Sequence, residues 1–323
     1  MRKTGPLVLV VALLFVVPAS QADTPRRGEE PPGPGYVTIQ FGRTQWATAK
    51  NCVQLERSVD LGEIATAMTV RGLVGTGGVV LDRTPESGLG CFRGYTLHTG
   101  WRWMRRMQAQ GWSFISQSRS YRQMTTLSYE AQVEESCGTL PDFSAHDINH
   151  ADALFAFPAN QWTPEIQEDP VSKCFSFGRR YLSNAPNVRS EMESPWFANT
   201  MSVSGGFCHS AILPCHTQAG TAGQPKSGYS NPRNIADAMF AEPDTWYSVQ
   251  FYRFVRGAFQ NNSMGWDCEA EDWREHWTSN GELYCWNDVR RILNAAEEAR
   301  ESGVVFTGPH TVALDWGRAL PTT

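Results

Sequence analysis

Residues Trp101–Ser128 read WRWMRRMQAQGWSFISQSRSYRQMTTLS. Trp101, Met104 and Met107 recur at helical spacing while Arg102, Arg105 and Arg106 take the other faces, so the stretch opens as an amphipathic helix. Gly111 supplies the left-handed residue that ends it. Trp112 and Phe114 then alternate with small polar residues, the pattern of a half-buried strand. A polar loop from Ser116 to Met124 follows, and Thr125–Ser128 lead into the next helix. In α/β folds the loop at the carboxyl end of such a strand is where ligands and catalytic groups collect.

The same alternation continues in both directions. Tyr36–Phe41 reads as a strand with Val37, Ile39 and Phe41 on one face. Asp60–Arg71 follows as a helix with Leu61, Ile64 and Met68 as its buried stripe and Gly72 as its stop. Leu73–Leu81 is a glycine-rich apolar strand, and Ser128–Cys137 a helix capped by Ser128 with Glu130 in its first turn. Ala153–Phe157 is a continuous apolar run, expected of a parallel strand covered on both faces. Further on, Trp246–Val255 and Val304–Thr307 read as strands, Ala270–Trp277 and Asp288–Arg300 as helices. The stretch from about 181 to 242, rich in Ser, Gly, Pro and Asn, reads as an insert of long loops. Strands alternating with helices predict a parallel α/β sheet or barrel.

The first 22 residues have the features of a secretory signal: Arg2 and Lys3, an apolar run from Pro6 to Val17, and small residues in Ser20-Gln21-Ala22. That run is too short to span a membrane. Residues 23–35 form a Pro/Gly-rich tether, leaving 36–323 as the folded domain of a secreted, extracytoplasmic chain. Loss of Arg2 and Lys3 takes the formal charge from −5 to −7, which argues against a nucleic-acid partner. The eight cysteines, Cys52, Cys91, Cys137, Cys174, Cys208, Cys215, Cys268 and Cys285, are an even set in an exported chain and are read as disulfides. Sequence alone leaves the pairing open; neighbours along the chain are favoured (52–91, 137–174, 208–215, 268–285). Cys208-His209 and Cys215-His216 also have the look of a zinc clip.

The Trp101–Ser128 frame resembles the core motif of the NodB-homology polysaccharide deacetylases, family four of the carbohydrate esterases. There a glycine-ended helix leads into a strand, then Ser-His-x-x-x-His-Pro and a Thr-Leu-Ser-like helix start. The resemblance runs from Tyr36 to His310 and implies a deformed parallel (β/α) barrel with disulfide-stapled loops. It rests on ordered pattern, because the chemical positions differ. Where the family has Phe-Asp-Asp-Gly, this chain has Phe41-Gly42-Arg43-Thr44. The two metal-binding histidines correspond to Gln117 and Tyr121, and the proline to Arg122. Phe-x-Tyr-Pro-x-Gly corresponds to Phe155-Ala156-Phe157-Pro158-Ala159-Asn160, and the late Leu-His to Phe251-Tyr252.

The resemblance therefore implies a degenerate member. Hydrolysis by the family's route needs a Lewis-acidic metal and an acid and base with suitable pKa values. Gly42 cannot accept a proton, Arg43 cannot bind a cation, and Tyr252 is a weak acid. No cofactor is expected. Arg43, with Gln117 and Tyr121 beside it, is the candidate for holding a carboxylate or sulfate of an acidic sugar, or else for a structural salt bridge. Asn160 and Trp162 complete the candidate binding set; Trp196, Trp266, Trp273, Trp277 and Trp286 are read as lying in or beside loops, available for sugar stacking or for core packing. His146, Asp147 and His150 have the i, i+4 spacing of a zinc site on a helix, but their setting predicts an exposed loop. No Gly-x-Ser-x-Gly motif is present. Three readings stand: an inactive glycan binder with an acetylated or acidic carbohydrate partner, a hydrolase with a rebuilt site, and a structural or interaction module.

Overall fold

The computed structural model describes residues 32–42, 45–50, 53–54, 58–92, 96–181, 185–192, 197–202, 232–251, 253–255, 258–261, 264–267 and 283–317. Seven short strands pair in parallel, each beside its neighbour in sequence. They are β1 (Tyr36–Phe41), β2 (Gly75–Val79), β3 (Ser113–Ser116), β4 (Leu154–Ala156), β5 (Phe177–Arg180), β6 (Phe197–Ser202) and β7 (Thr245–Phe251). β7 returns to pair with β1 along its whole length, Tyr36 opposite Trp246 through Phe41 opposite Phe251, and closes a barrel. On the other edge of β1, Ile39–Phe41 pair with Gly75–Gly77 of β2, and a short β8 (Val305–Phe306) pairs with Tyr36–Val37.

Helices fill the connections. They are α1 (Leu61–Thr69), α2 (Trp101–Gln108), α3 (Tyr129–Glu135), α4 (Leu140–Ala145), α5 (Pro164–Glu168), α6 (Pro232–Ala238), α7 (Trp286–Glu301) and α8 (Pro309–Asp315). Their ends follow local chemistry. Asp60 accepts from the Glu63 N–H at 2.8 Å and starts α1; Ser128 accepts from Ala131 and starts α3. Gly111, at φ +93°, turns the chain out of α2, whose Trp101, Met104 and Met107 are buried as their spacing predicts.

Pleating separates two faces. Val37, Ile39 and Phe41 pack outwards with Leu61, Ile64 and Met68 of α1 and Ile292, Leu293 and Ala296 of α7. Tyr36, Ile115, Leu154, Ala156, Phe177, Ala198 and Trp246 come from six different strands yet form one cluster, so they occupy the inner face. Val312, Ala313 and Trp316, from α8 and the residue after it, join that cluster and plug the barrel floor. Burial, then a hydrogen bond with Asp315, pushes the Tyr36 hydroxyl up to about 12. The first glycine of β2 has a steric reason: a Cβ on Gly75 would lie 2.6 Å from the Trp112 ring.

The parallel (β/α) barrel agrees with the sequence reading, with one difference. The stretch 181–242, read as loops, contributes the barrel strand β6 and helix α6. β6 turns Ala198 and Thr200 into the barrel, and small or polar inner residues leave little apolar alternation to read. An antiparallel ladder of Gln45–Lys50, Leu89–Phe92 and Thr96–Thr99 was also not anticipated. The expected helix Ala270–Trp277 lies outside the described residues. Among those described, no helix is long and apolar enough to cross a membrane.

Cys137 and Cys174 form a disulfide, as expected from their order, and Cys91 is disulfide-bonded. Cys52, Cys208, Cys215, Cys268 and the side chain of Cys285 lie outside the described residues. The Cys137–Cys174 bridge closes a loop with a sequence separation of 37. Chain entropy for a loop of that size amounts to about 4 kcal/mol. The double substitution Cys137→Ser, Cys174→Ser is therefore expected to lower stability by roughly that amount, read as a lower denaturant midpoint against the wild-type chain.

Candidate functional site

The carboxyl ends of the barrel strands converge on one mouth. Gly42, buried, is the first residue past β1. Gln117, fully buried, is the first past β3, and its N–H donates to the Val79 carbonyl of β2 at 2.8 Å. The loop that follows is bent by two non-glycine residues in the left-handed region, Ser118 (φ +74°) and Tyr121 (φ +67°). Ser118 Oγ accepts from the Tyr121 N–H at 2.9 Å and braces the bend.

The basic residues of this loop are turned away to α3 and α4. Arg119 pairs with Glu134 and Asp142. Glu135, 1% exposed, accepts from the Ser120 N–H at 2.9 Å, from the Ser120 hydroxyl and from Arg122 Nε at 2.8 Å. Burial raises the Glu135 carboxyl, but the hydrogen bonds from Ser120 and Arg122 outweigh it and hold the group below its ordinary value. With Arg119, Ser120 and Arg122 so engaged, Tyr121 is left on the other side. Its hydroxyl accepts from the Ala159 N–H at 3.4 Å, and the Arg83 guanidinium lies 4.9 Å from its ring centroid.

Tyr121 and Asn160 are brought together through Ala159, the residue before Asn160. Asn160 in turn spans the backbone of Tyr181 past β5, accepting from its N–H at 2.9 Å and donating to its carbonyl at 3.4 Å. Trp162 is half-buried beneath Arg180, 5.2 Å from guanidinium to ring, and packs on Phe197 at 4.8 Å. Of the other tryptophans read as beside loops, Trp286 is core, edge-on to Phe254. Arg43 and Tyr252 lie outside the described residues.

The histidine pair is elsewhere. α4 ends at Ala145, and Asp147 and His150 take left-handed backbone, so no helix aligns the imidazoles. His146 stacks on Trp101 at 4.2 Å, its Nδ1 2.7 Å from the Asp142 carbonyl and its Nε2 3.2 Å from Glu86. His150 stacks instead on His310 at 3.5 Å. Among the described residues no group of three His, Cys, Asp or Glu side chains could hold a metal ion. At the mouth, the donors among the described residues do not fit a divalent cation either. Gly42 has no side chain, and Tyr121 is a phenol already facing the positive charge of Arg83.

Sequence reasoning missed a polar layer inside the barrel. Gln40 Nε2 donates to Ser248 Oγ at 2.6 Å, and Thr200 donates to the same oxygen at 2.8 Å. Trp246 Nε1 donates to Thr38 Oγ1 at 3.0 Å, and the Tyr181 hydroxyl donates to Gln250 Oε1. Arg179, 2% exposed, donates from Nη1 to Gln40 Oε1 at 3.1 Å and lies over the Tyr181 ring at 5.1 Å. A signal for this layer is present: Tyr36-x-Thr38-x-Gln40 and Trp246-x-Ser248-x-Gln250 repeat one pattern on two strands that pair in register.

No protein-family model and no curated protein matches the chain. Solved structures do resemble it in fold. A probable polysaccharide deacetylase from Pseudomonas aeruginosa PAO1 is 10% identical, with a TM-score of 0.47 over 89% of this chain and 92% of that one. The Xyl-CE4 domain of a multidomain xylanase from the hindgut metagenome of Trinervitermes trinervoides is 9% identical, with a TM-score of 0.43 over 90% and 95%. A family 4 carbohydrate esterase from Streptomyces lividans, in complex with acetate, is 11% identical, with a TM-score of 0.40 over 86% and 95%. At such identities the likeness concerns fold alone; the barrel assignment stands on the strand pairing.

The Glu135 clamp gives a pH dependence. Its folded-state pKa is held below that of an ordinary glutamate, so its contribution is complete above the ordinary value and is lost as the pH falls through the folded one. Glu135→Gln keeps the shape and removes the charge, and is expected to cost about 1.5–3 kcal/mol near neutral pH, since the Arg122 left behind is half exposed. The difference from wild type should shrink as both proteins are acidified through the carboxylate range, in urea melts run side by side.

Proposed function

We propose that the chain is an exported carbohydrate-binding protein built on a deacetylase-like barrel that has lost the hydrolytic chemistry. One observation carries this reading: the arginine side chain of Arg83 lies against Tyr121, which the sequence resemblance aligns with a metal-binding histidine. A guanidinium keeps its proton and supplies positive charge, but it cannot acidify a water molecule as a metal does. Buried Gly42 at the end of β1 supports the same view, since the resemblance puts an acidic general base there.

The ligand in this reading is an acetylated or acidic glycan of a cell envelope or its surroundings. Export is supported by the Arg2–Ala22 leader features and by the Cys137–Cys174 disulfide. Asn160 acts by fixing the end of β5, and Trp162 offers a partly exposed aromatic surface beside Arg180.

The expected outcome on acetylated chitin-like or peptidoglycan fragments is binding without turnover. A glycan array should give retained ligands, while acetate release should not exceed that of a boiled control. Acetate release that a chelator abolishes would sink the proposal.

A further inference from the structure

We propose that the barrel interior holds an anion site anchored on Arg179, and that its ligand is the carboxylate of an acidic sugar. The inference rests on the glycan-binding reading above and gives its ligand a charge. It also transfers to Arg179 the role that the sequence suggested for Arg43.

Arg179 is 2% exposed, on the inner face of β5. A guanidinium at such depth is costly unless a carboxylate faces it, and removing it from water without one carries a penalty of several kcal/mol. Among the described residues none does: Arg179 makes no ion pair there. Its contacts are the Gln40 amide oxygen, 3.1 Å from Nη1, and the Tyr181 ring. Arg179 Nε has no acceptor among the described residues.

A second donor shares this setting. Gln250 Oε1 accepts from the Tyr181 hydroxyl, leaving Gln250 Nε2 buried and without an acceptor there. Arg179 and Gln250 reach the same tyrosine from β5 and β7, one on its ring and one on its hydroxyl. The adjoining wall is Gln40, Ser248 and Thr200, all neutral and hydrogen-bonded to one another. The lining is thus rich in donors, poor in acceptors, and carries a positive charge. Buried donors without acceptors are rare in proteins because each one costs about 1–3 kcal/mol.

That lining selects an anion over a cation or a neutral sugar hydroxyl. Nη1 is engaged by Gln40, so the guanidinium edge carrying Nε is the one a ligand would use. A carboxylate matches that edge with two parallel hydrogen bonds and its single charge is balanced by the one guanidinium, whereas a doubly charged sulfate would leave one buried charge without a partner among the described residues.

The test uses the full exported chain and calorimetric titration with glucuronate, glucose, acetate and inorganic sulfate, beside a neutral acetylated chitin oligomer. Glucuronate should bind about tenfold or more tightly than glucose, and Arg179→Met should remove that preference. Arg179→Lys keeps the charge without the fork and should lie between. Equal binding of glucuronate and glucose, or an unchanged preference in either variant, overturns the inference. Sulfate binding as tight as glucuronate overturns the carboxylate assignment. If the neutral oligomer binds while glucuronate gains nothing, the glycan reading survives and the anion site alone falls.

Discussion

The pairing of β1 with β7 is the constraint on which the rest of the barrel depends. All six residues of β1 are buried, so neither face can be traded for solvent. Every second residue points to the helices and every other one to the axis, and the register at the seam decides which. A slip of one position would press Thr38 and Gln40 among Ile64, Met68 and Leu293. The same slip would part Trp246 from Thr38 and Gln40 from Ser248, two hydrogen bonds made across the seam. Specificity of register is thus written in polar atoms as well as apolar ones.

Along the axis the interior changes character. At the floor, Tyr36, Phe177 and Trp246 meet Trp316 in a cluster that is almost wholly apolar. One pleat higher sit Thr38, Thr200 and Ser248; above them Gln40, Arg179 and Gln250. Polar groups withdrawn from water are tolerable when they satisfy one another, and this layer largely does so. Among the described residues, what remains unsatisfied in this layer is two donors, Arg179 Nε and Gln250 Nε2, in a chain that is acidic as a whole.

Much of this fold is legible in the sequence, because helices that bury one clear face, and strands whose two faces differ in polarity, advertise their period. Tyr36–Phe41, Trp101–Gln108 and Trp286–Glu301 are of that kind. β6 is not, since its inward residues are Ala198 and Thr200 and its flanks are rich in loop formers. The candidate site is less legible still. The loop after β3 could be placed at the mouth from its position behind a strand, and there the Tyr121 hydroxyl accepts from the Ala159 N–H, one residue before Asn160. Arg179 could not be found in this way. In Phe177-Gly178-Arg179-Arg180 nothing local tells which arginine turns inward; that is fixed only when β5 is held between β4 and β6. The His146–His150 spacing shows the converse. Four residues apart suggests a shared helical face, but left-handed backbone at Asp147 and His150 sends the rings to Trp101 and His310.

The Cys137–Cys174 bridge encloses α4, β4 and α5, and with them the exposed turn at Asp147, Asn149 and His150. Exposed turns of this sort are where proteases cut. A cut there would leave both pieces joined through sulfur, with β3 on one, β4 and β5 on the other, and all three still paired. Backbone continuity is therefore redundant at this point of the barrel wall. The nicked molecule keeps its topology under oxidising conditions and comes apart only when the bridge is reduced, so in an environment rich in proteases the bond protects connectivity as well as stability.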